Sequence, residues 1–369
     1  MSDRWYTFDN IDEVASPALL VYPPRVEENL RRMIAMAGGT ARLRPHIKTH
    51  KMAEVIQLGL DAGIDKIKCA TVAEAELAAR TAVPDVLLAY QPVGPTGQRL
   101  CRLAQAYPAT RFSTIADDAG AIRALSRTVD AHGLTMEVLL DIDNGMHRSG
   151  VAPGTEAAGL YRLLGDLPGL RPGGLHVYDG HIRDADLDER TRHVEADFEA
   201  VDALRADLLA AGFPVPCVVA GGTPTFPVHA RRNDRQCSPG TCVFWDAGYA
   251  GKFPDLDFLP AALVMTRVIS KPGGGRLCLD LGYKAVAPDS PPPRAELLEL
   301  PDARFLGQNE EHLVIETDRA ADFAVGDVLF AVPFHICPTC AMYREALVVN
   351  DRSARGHWPV AARDRMLSI

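Results

Sequence analysis

What most constrains the fold of this 369-residue chain is a rhythm. Between about residue 40 and residue 250, short apolar runs alternate with stretches of helical periodicity. The strand-like runs are Leu43 to Lys48, Lys66 to Thr71, Val86 to Tyr90, Arg111 to Ala116, Glu137 to Asp143, Gly174 to Asp179, Cys217 to Gly221 and Gly240 to Asp246. Amphipathic patterns lie between them, as at Lys51 to Leu60, Val72 to Arg80, Asp118 to His132 and Arg192 to Ala211. Short strands separated by helices imply parallel pairing, because a parallel connection needs a crossover. Eight such units are the number that closes a (β/α)8 barrel. No G-x-G-x-x-G opens the first unit, as it would in a dinucleotide-binding open sheet. The expected fold class is therefore α/β, a (β/α)8 TIM barrel over residues 25–260.

After Pro260 the texture changes. Leu263 to Ser270, Leu277 to Leu281, His312 to Thr317, Asp327 to Val332 and Ala346 to Val349 read as strands. Turn-rich segments at Pro272 to Gly275, Pro288 to Pro293 and Pro301-Asp302 separate them, with little helical periodicity. Residues 261–369 are read as a second, mostly β C-terminal domain. The early run Ala18 to Tyr22 leaves two placements open, an added barrel strand or a strand of the β domain. The division of the chain follows the second, with residues 1–24 joining the β domain.

The bulk properties exclude several classes. A formal net charge of −9 supplies no basic field for nucleic acid or anionic lipid. No apolar run nears the roughly 18 residues of a membrane-crossing helix. The start, Met1-Ser-Asp-Arg-Trp-Tyr, lacks the basic and then apolar pattern of a secretory signal. The 8 cysteines are scattered through a long chain, which fits reduced thiols better than a disulfide framework. The expectation is a cytoplasmic protein with a small-molecule substrate and neither nucleic acid nor membrane as partner.

In a barrel of this type, reactive groups come from the C-terminal ends of strands and the loops after them. The first strand ends in Arg44-Pro45-His46-Ile47-Lys48-Thr49-His50-Lys51, where alternation puts His46, Lys48 and His50 on one face. A lysine among barrel-lining positions is costly unless paired, covalently bound or shifted toward its neutral form. A neutral amine is what forms a Schiff base with an aldehyde cofactor. A basic loop around an anionic ligand accounts for the same residues without covalent chemistry.

The fifth strand runs into Asp141-Ile-Asp143-Asn-Gly-Met-His-Arg148-Ser-Gly150, whose Arg148 is placed to hydrogen-bond an oxygen of a planar ligand. The sixth ends in His176-Val-Tyr178-Asp-Gly180-His181, offering a flat ring and a base that titrates near neutrality. Gly221-Gly222-Thr223-Pro224-Thr225 and Pro239-Gly240-Thr241-Cys242 follow the seventh strand and open the eighth. Barrels commonly bind phosphate at the loops after strands seven and eight, through converging backbone N–H groups and hydroxyls. Position and composition together point to a phosphorylated ligand near a lysine.

The β domain contributes Val332-Pro333-Phe334-His335-Ile336-Cys337-Pro338-Thr339-Cys340. On an extended chain His335 and Cys337 point the same way and can share one metal. Cys337 and Cys340 alternatively form a C-x-x-C, half of a structural zinc site or a redox pair. No second such pair exists to complete a four-ligand structural site. Two protein ligands plus open positions suit a metal that binds substrate.

Taken together, these segments resemble the D-threonine aldolase and D-serine dehydratase family of pyridoxal phosphate enzymes, in which an alanine-racemase-like barrel (fold type III) precedes a C-terminal β domain. The matching pieces are Arg44 to Lys51, the segment ending Arg148-Ser149-Gly150, Tyr178 with Gly180-His181, Gly221 to Thr225, and His335 to Thr339. The resemblance implies that Lys48 carries pyridoxal 5'-phosphate and that Arg148 contacts the cofactor's phenolic oxygen. It implies that Tyr178 stacks on the pyridine ring and that Gly222, Thr223, Gly240 and Thr241 bind the phosphate. His335 and Cys337 are similar to ligands of a divalent metal (zinc, manganese or magnesium), and His181 to a catalytic histidine. The implied reaction is retro-aldol cleavage of a D-3-hydroxy amino acid, D-threonine-like, to glycine and an aldehyde. Dehydration of D-serine or 3-hydroxyaspartate to a keto acid and ammonia is the alternative, since the dehydratases resemble this chain in having cysteine at the second metal position. An amino-acid racemase and a non-catalytic pyridoxal phosphate carrier are further alternatives on the same barrel. The family plan implies a homodimer.

Overall fold

A computed structural model describes residues 4–369, and these divide into two compact units. One contains the chain up to Leu30, Thr49–Val55 and Thr241–Arg363; the other contains Arg31–Lys48, Ile56–Gly240 and Asp364–Ile369. Strand β1 (Ala18–Val21) belongs to the first unit. Seven strands make up the sheet of the second: β2 (Lys66–Cys69), β3 (Asp85–Leu88), β4 (Arg111–Ala116), β5 (Met136–Ile142), β6 (Leu170–Val177), β7 (Val218–Ala220) and β8 (Gln236–Cys237). They follow one another in chain order and every pair is parallel.

The expected first strand is present as a closing segment. Leu43 bridges Cys237 of β8 and His46 bridges Lys68 of β2, both parallel. Arg44 N–H donates to Cys237 O at 2.9 Å and Ile47 N–H to Lys68 O at 2.9 Å, so the segment is bonded to both edges of the sheet. It does not run as a continuous strand because Pro45 has no N–H to give the ladder. The strand expected at Gly240 to Asp246 is not formed. The chain makes a 3-10 turn at Thr241–Val243, and β8 lies earlier, at Gln236–Cys237. Trp245 has φ +50, off the extended region, and the Asp246 side chain caps the helix that follows by accepting from Tyr249 N.

Helices connect the strands: α1 (Pro23–Ala37), α2 (Ala53–Asp61), α3 (Val72–Arg80), α4 (Pro95–Ala106), α5 (Ala119–Ala131), α6 (Thr155–Asp166), α7 (Leu187–Ala210), α8 (Phe226–His229) and α9 (Ala247–Lys252). Helix α2 starts later than expected because Lys51 has φ +57. Helix α7 starts earlier, at Leu187, because the Asp186 carboxylate accepts from the N–H groups of Asp188 and Glu189. Leu87, Ile115, Leu139 and Val219 pack together as an apolar cluster on one face of the sheet. At the strand starts, Asp85 accepts a two-pronged bond from Arg44 at 2.7 and 3.0 Å and a further one from Arg111.

In the other unit, β9 (Ala262–Gly273) is the longest strand and the organiser. It pairs antiparallel with β1, with β10 (Arg276–Leu279) and, beyond β11 (Ala295–Leu297), β12 (Arg304–Gln308) and β13 (Leu313–Glu316), with β14 (Val328–Pro333). Helix α10 (Ile336–Met342) separates β14 from the closing hairpin, β15 (Glu345–Asn350) and β16 (Ser353–Pro359). The run Ala18 to Tyr22 is thereby placed: β1 lies between β9 and β15 and is no barrel strand. Leu20, Leu263, Met265, Phe330 and Val332 bury one face of this sheet together with Tyr6 and Phe8. Among the described residues, no helix is long and apolar enough to cross a membrane.

Candidate active site

In the barrel unit the focus is one aromatic ring. Tyr178 directly follows β6, and three cationic side chains surround its ring: Lys48 Nζ at 5.9 Å, Lys68 Nζ at 5.8 Å and the Arg148 guanidinium carbon at 4.7 Å from the centroid. Lys48 ends the closing segment. Arg148 comes from the loop after β5, which is folded around Asp143: its Oδ1 accepts from Gly145 N at 3.0 Å and His147 N at 2.9 Å. Gly150, at φ +96, ends that loop where a Cβ would lie 2.6 Å from Asp143 N, so only glycine lets the chain turn back there.

Beneath the ring lies the glycine turn after β7. A Cβ on Gly222 would stand 3.0 Å from Tyr178 Cε2, so the missing side chain is what lets the ring settle on the backbone. The turn is held from behind by a buried chain of polar groups. Thr225 Oγ1 donates to Asp179 Oδ1 at 2.8 Å, His229 Nε2 to Asp179 Oδ2 at 2.7 Å, and Arg235 donates to His229 Nδ1 at 3.3 Å. With both nitrogens so used, His229 is fixed as the neutral Nε2–H tautomer. Gly240 N–H donates to Thr223 Oγ1 at 3.1 Å, which brings the two expected phosphate-binding turns together.

Lys68 and His176 belong to this site, and the sequence reading passed over both. Lys68 is 3% exposed; burial lowers its pKa to about 7, helped by Lys48, while Asp179 and Asp141 oppose the shift. His176 is buried, and burial holds its pKa below the ordinary imidazole range despite Asp141. Its Nδ1 donates to Asp141 Oδ1 at 2.6 Å, leaving Nε2 buried without a protein partner. A flat ring over a glycine turn, an amine and a guanidinium beside it, and an unsatisfied buried nitrogen fit a planar anionic ligand such as pyridoxal phosphate.

His181, three residues beyond Tyr178 in the barrel unit, has its Nε2 2.7 Å from Asp197 Oδ2, and the other unit holds Thr241, His335 and Cys337. His335 and Cys337 do not lie on an extended chain; His335 is the N-cap of α10 and Cys337 lies in its first turn. The helix is anchored by Asp246, whose Oδ2 accepts from Ile336 N at 3.1 Å and whose pKa burial raises to about 6. The thiol and imidazole still interact: burial lowers the His335 pKa, but the hydrogen bond with Cys337 and the Asp289 carboxylate on Nδ1 outweigh it and raise the pKa to about 9. A carboxylate on one ring nitrogen is the usual way a histidine presents the other to a metal, so this donor pair fits a divalent ion. Cys337 Sγ is 3.2 Å from Thr49 Oγ1 and 3.7 Å from Thr241 Oγ1. Cys340 is fully buried on the same helix, and burial holds its thiol protonated, unlike a metal-binding thiolate.

Residues 22–247 match the alanine racemase N-terminal domain family, and residues 261–349 match a putative serine dehydratase domain. A 3-hydroxy-D-aspartate aldolase of Paracoccus denitrificans (strain Pd 1222) is 30% identical over 96% of this chain and 93% of its own length. The crystal structure of D-threonine aldolase from Filomicrobium marinum superposes with a TM-score of 0.89 at 30% identity, covering 96% of this chain and 97% of that one. D-threo-3-hydroxyaspartate dehydratase from Delftia sp. HT23 superposes with a TM-score of 0.80 at 26% identity, covering 94% and 97%. Solved structures of that dehydratase include a histidine-to-alanine mutant and a cysteine-to-alanine mutant in the metal-free form, the two mutated positions being two residues apart. Barrel, β domain and site chemistry agree with these matches, and the chain belongs to the fold type III family of pyridoxal phosphate enzymes, with an alanine-racemase-type barrel followed by a serine-dehydratase-type domain.

Proposed function

We propose that this protein is a lyase dependent on pyridoxal phosphate and a divalent metal, and that it cleaves a D-3-hydroxy amino acid of the D-threonine type to glycine and an aldehyde. The observation that carries the reading is the grouping of Lys48 and Arg148 around the Tyr178 ring above Gly222. It is supported by full-length relatives that are aldolases.

Bound pyridoxal phosphate supplies an electron sink for charge developing at the substrate Cα. Lys48 Nζ would hold it covalently, Arg148 would bond its phenolic oxygen, and Tyr178 would stack on its ring. Gly222, Thr223, Gly240 and Thr241 would take its phosphate through backbone N–H groups and hydroxyls. His335 and Cys337 would hold a divalent ion, zinc, manganese or magnesium, whose charge acidifies a hydroxyl bound to it. A histidine and cysteine two positions apart in the mutated dehydratase structures support that assignment. His181, similar to a catalytic histidine of the family, has its Nε2 2.7 Å from Asp197 Oδ2.

Cys337 favours a second reading, dehydration. There Lys48 Nζ would remove the α-proton and the β-hydroxyl would leave, giving a keto acid and ammonia. The deciding experiment supplies purified protein with pyridoxal phosphate and a divalent metal, then offers D-threonine, D-serine and D-3-hydroxyaspartate beside their L forms. Glycine from a D substrate establishes the aldolase; keto acid with ammonia and no glycine assigns the chain to the dehydratases. Neither product, with the cofactor bound, overturns both readings. A cytoplasmic homodimer completes the proposal, and sedimentation at the mass of two chains checks the assembly.

A further inference from the structure

A side-chain cluster on the barrel unit, apart from the residues used above, has the composition of a metal site. His181 lies in the turn after β6, three residues beyond Tyr178. His193 and Asp197 stand four apart on α7 and so share a face. His181 Nε2 is 2.7 Å from Asp197 Oδ2, and His193 Nε2 is 3.7 Å from the same oxygen. One donor atom from each residue lies within 4.8 Å of the other two. Ligands about 2.0–2.2 Å from one ion stand at most roughly 4.4 Å apart. Small side-chain adjustments therefore bring all three donors onto a single ion.

Two independent features point the same way. Asp184 Oδ2 accepts from His193 Nδ1 at 2.9 Å, which fixes the tautomer whose lone pair is on Nε2, facing the cluster. Gly145, at φ +130, keeps the approach open: a Cβ there would sit 2.7 Å from His181 Nε2 and 3.4 Å from Asp197 Oδ2.

We propose that His181, His193 and Asp197 bind a divalent first-row transition metal ion, at a site separate from the one assigned to His335 and Cys337. Two imidazoles and a carboxylate are borderline donors that select zinc, cobalt or nickel over calcium or magnesium. The bound ion ties the turn that carries Tyr178 to α7. The proposal rests on this geometry and does not depend on which reaction the enzyme performs.

The test uses the full chain with its cofactor, stripped of metal and titrated with zinc against a chromophoric chelator. Wild type takes up two equivalents and His193→Ala one. The His335→Ala/Cys337→Ala double variant takes up one, which disappears when His193→Ala is added. Cobalt(II) in the double variant gives visible ligand-field bands without a thiolate charge-transfer band. Asp184→Asn, which leaves the three ligands in place, weakens this equivalent about 10- to 100-fold. The same zinc uptake in wild type and His193→Ala, whether one equivalent or two, overturns the proposal, whereas a single wild-type equivalent that His193→Ala removes supports it and leaves the His335 and Cys337 site without zinc. The wild-type and His193→Ala stoichiometries decide the matter even if the double variant does not fold.

Discussion

Replacing Lys68 by methionine should stabilise the cofactor-free protein, and the size of the gain should depend on pH in a way that can be worked out in advance. Lys68 is 3% exposed, and its pKa falls from 10.5 to about 7, chiefly through burial and then through Lys48. That fall corresponds to roughly 5 kcal/mol between the two protonation states, at about 1.4 kcal/mol per pH unit. Below pH 7 the amine is charged in both folded and unfolded chains, and the whole penalty is present. Between pH 7 and 10.5 the unfolded chain binds a proton that the folded chain does not, so wild-type stability rises with pH through this group. Methionine fills the space of the aliphatic stem and has no such dependence. Urea unfolding of both proteins at about pH 7, 8 and 9 should show the variant more stable at the lowest pH, its advantage shrinking by about 1.4 kcal/mol per unit. Groups that have no charge interaction with Lys68 cancel in the difference, while His176, whose pKa Lys68 helps to lower, moves upward in the variant. Parallel pH profiles for the two proteins would refute the argument. Its functional side is that the fold keeps a costly cation beside Tyr178, as expected where a side chain serves an anionic ligand rather than stability.

Four further outcomes are expected. Lys48→Ala should lower turnover by roughly 10^3-fold or more and abolish the absorbance of covalently held cofactor, while far-UV circular dichroism stays unchanged. His335→Ala should lower turnover at least about a hundredfold, and exhaustive chelation of wild type should do the same until a divalent ion is returned. Gly222→Ala puts a Cβ 3.0 Å from Tyr178 Cε2, so cofactor titration should show a weaker Kd with little loss of Tm. Asp85→Ala should cost about 3–5 kcal/mol in urea unfolding, because Arg44 is left buried without its carboxylate. Burial opposes ionisation of Asp85, but Arg44 and Arg111 hold its pKa below the ordinary range. Its contribution is therefore present at neutral pH and lost as pH falls through that depressed pKa, a loss the Ala variant should not show.

What the sequence disclosed depended on how locally each feature is written. Tyr178 and Lys48 were legible because strand-end positions follow from a period of two and from unusual residues at the ends of apolar runs. Lys68 was not. It shares a strand face with Lys66, yet Lys66 bonds Asp65 at a partly open strand start while Lys68, two residues further along, is buried. Alternation tells which face a residue takes, not how deep along the barrel axis it lies. Asp289 and Asp246 support the helix that carries Cys337 from 46 and 90 residues away, a distance no motif spans. The segment of His335 and Cys337 was read as extended from their i, i+2 spacing alone. In the structure Pro338 is third in α10, within the first turn, where the N–H it lacks would have had no partner inside the helix. The structure thus brings His335 and Cys337 together, but not through the i, i+2 alternation of an extended chain. What keeps the two side chains together is a helix N-terminus, pinned by a buried aspartate, that turns the N-cap and the first turn toward each other.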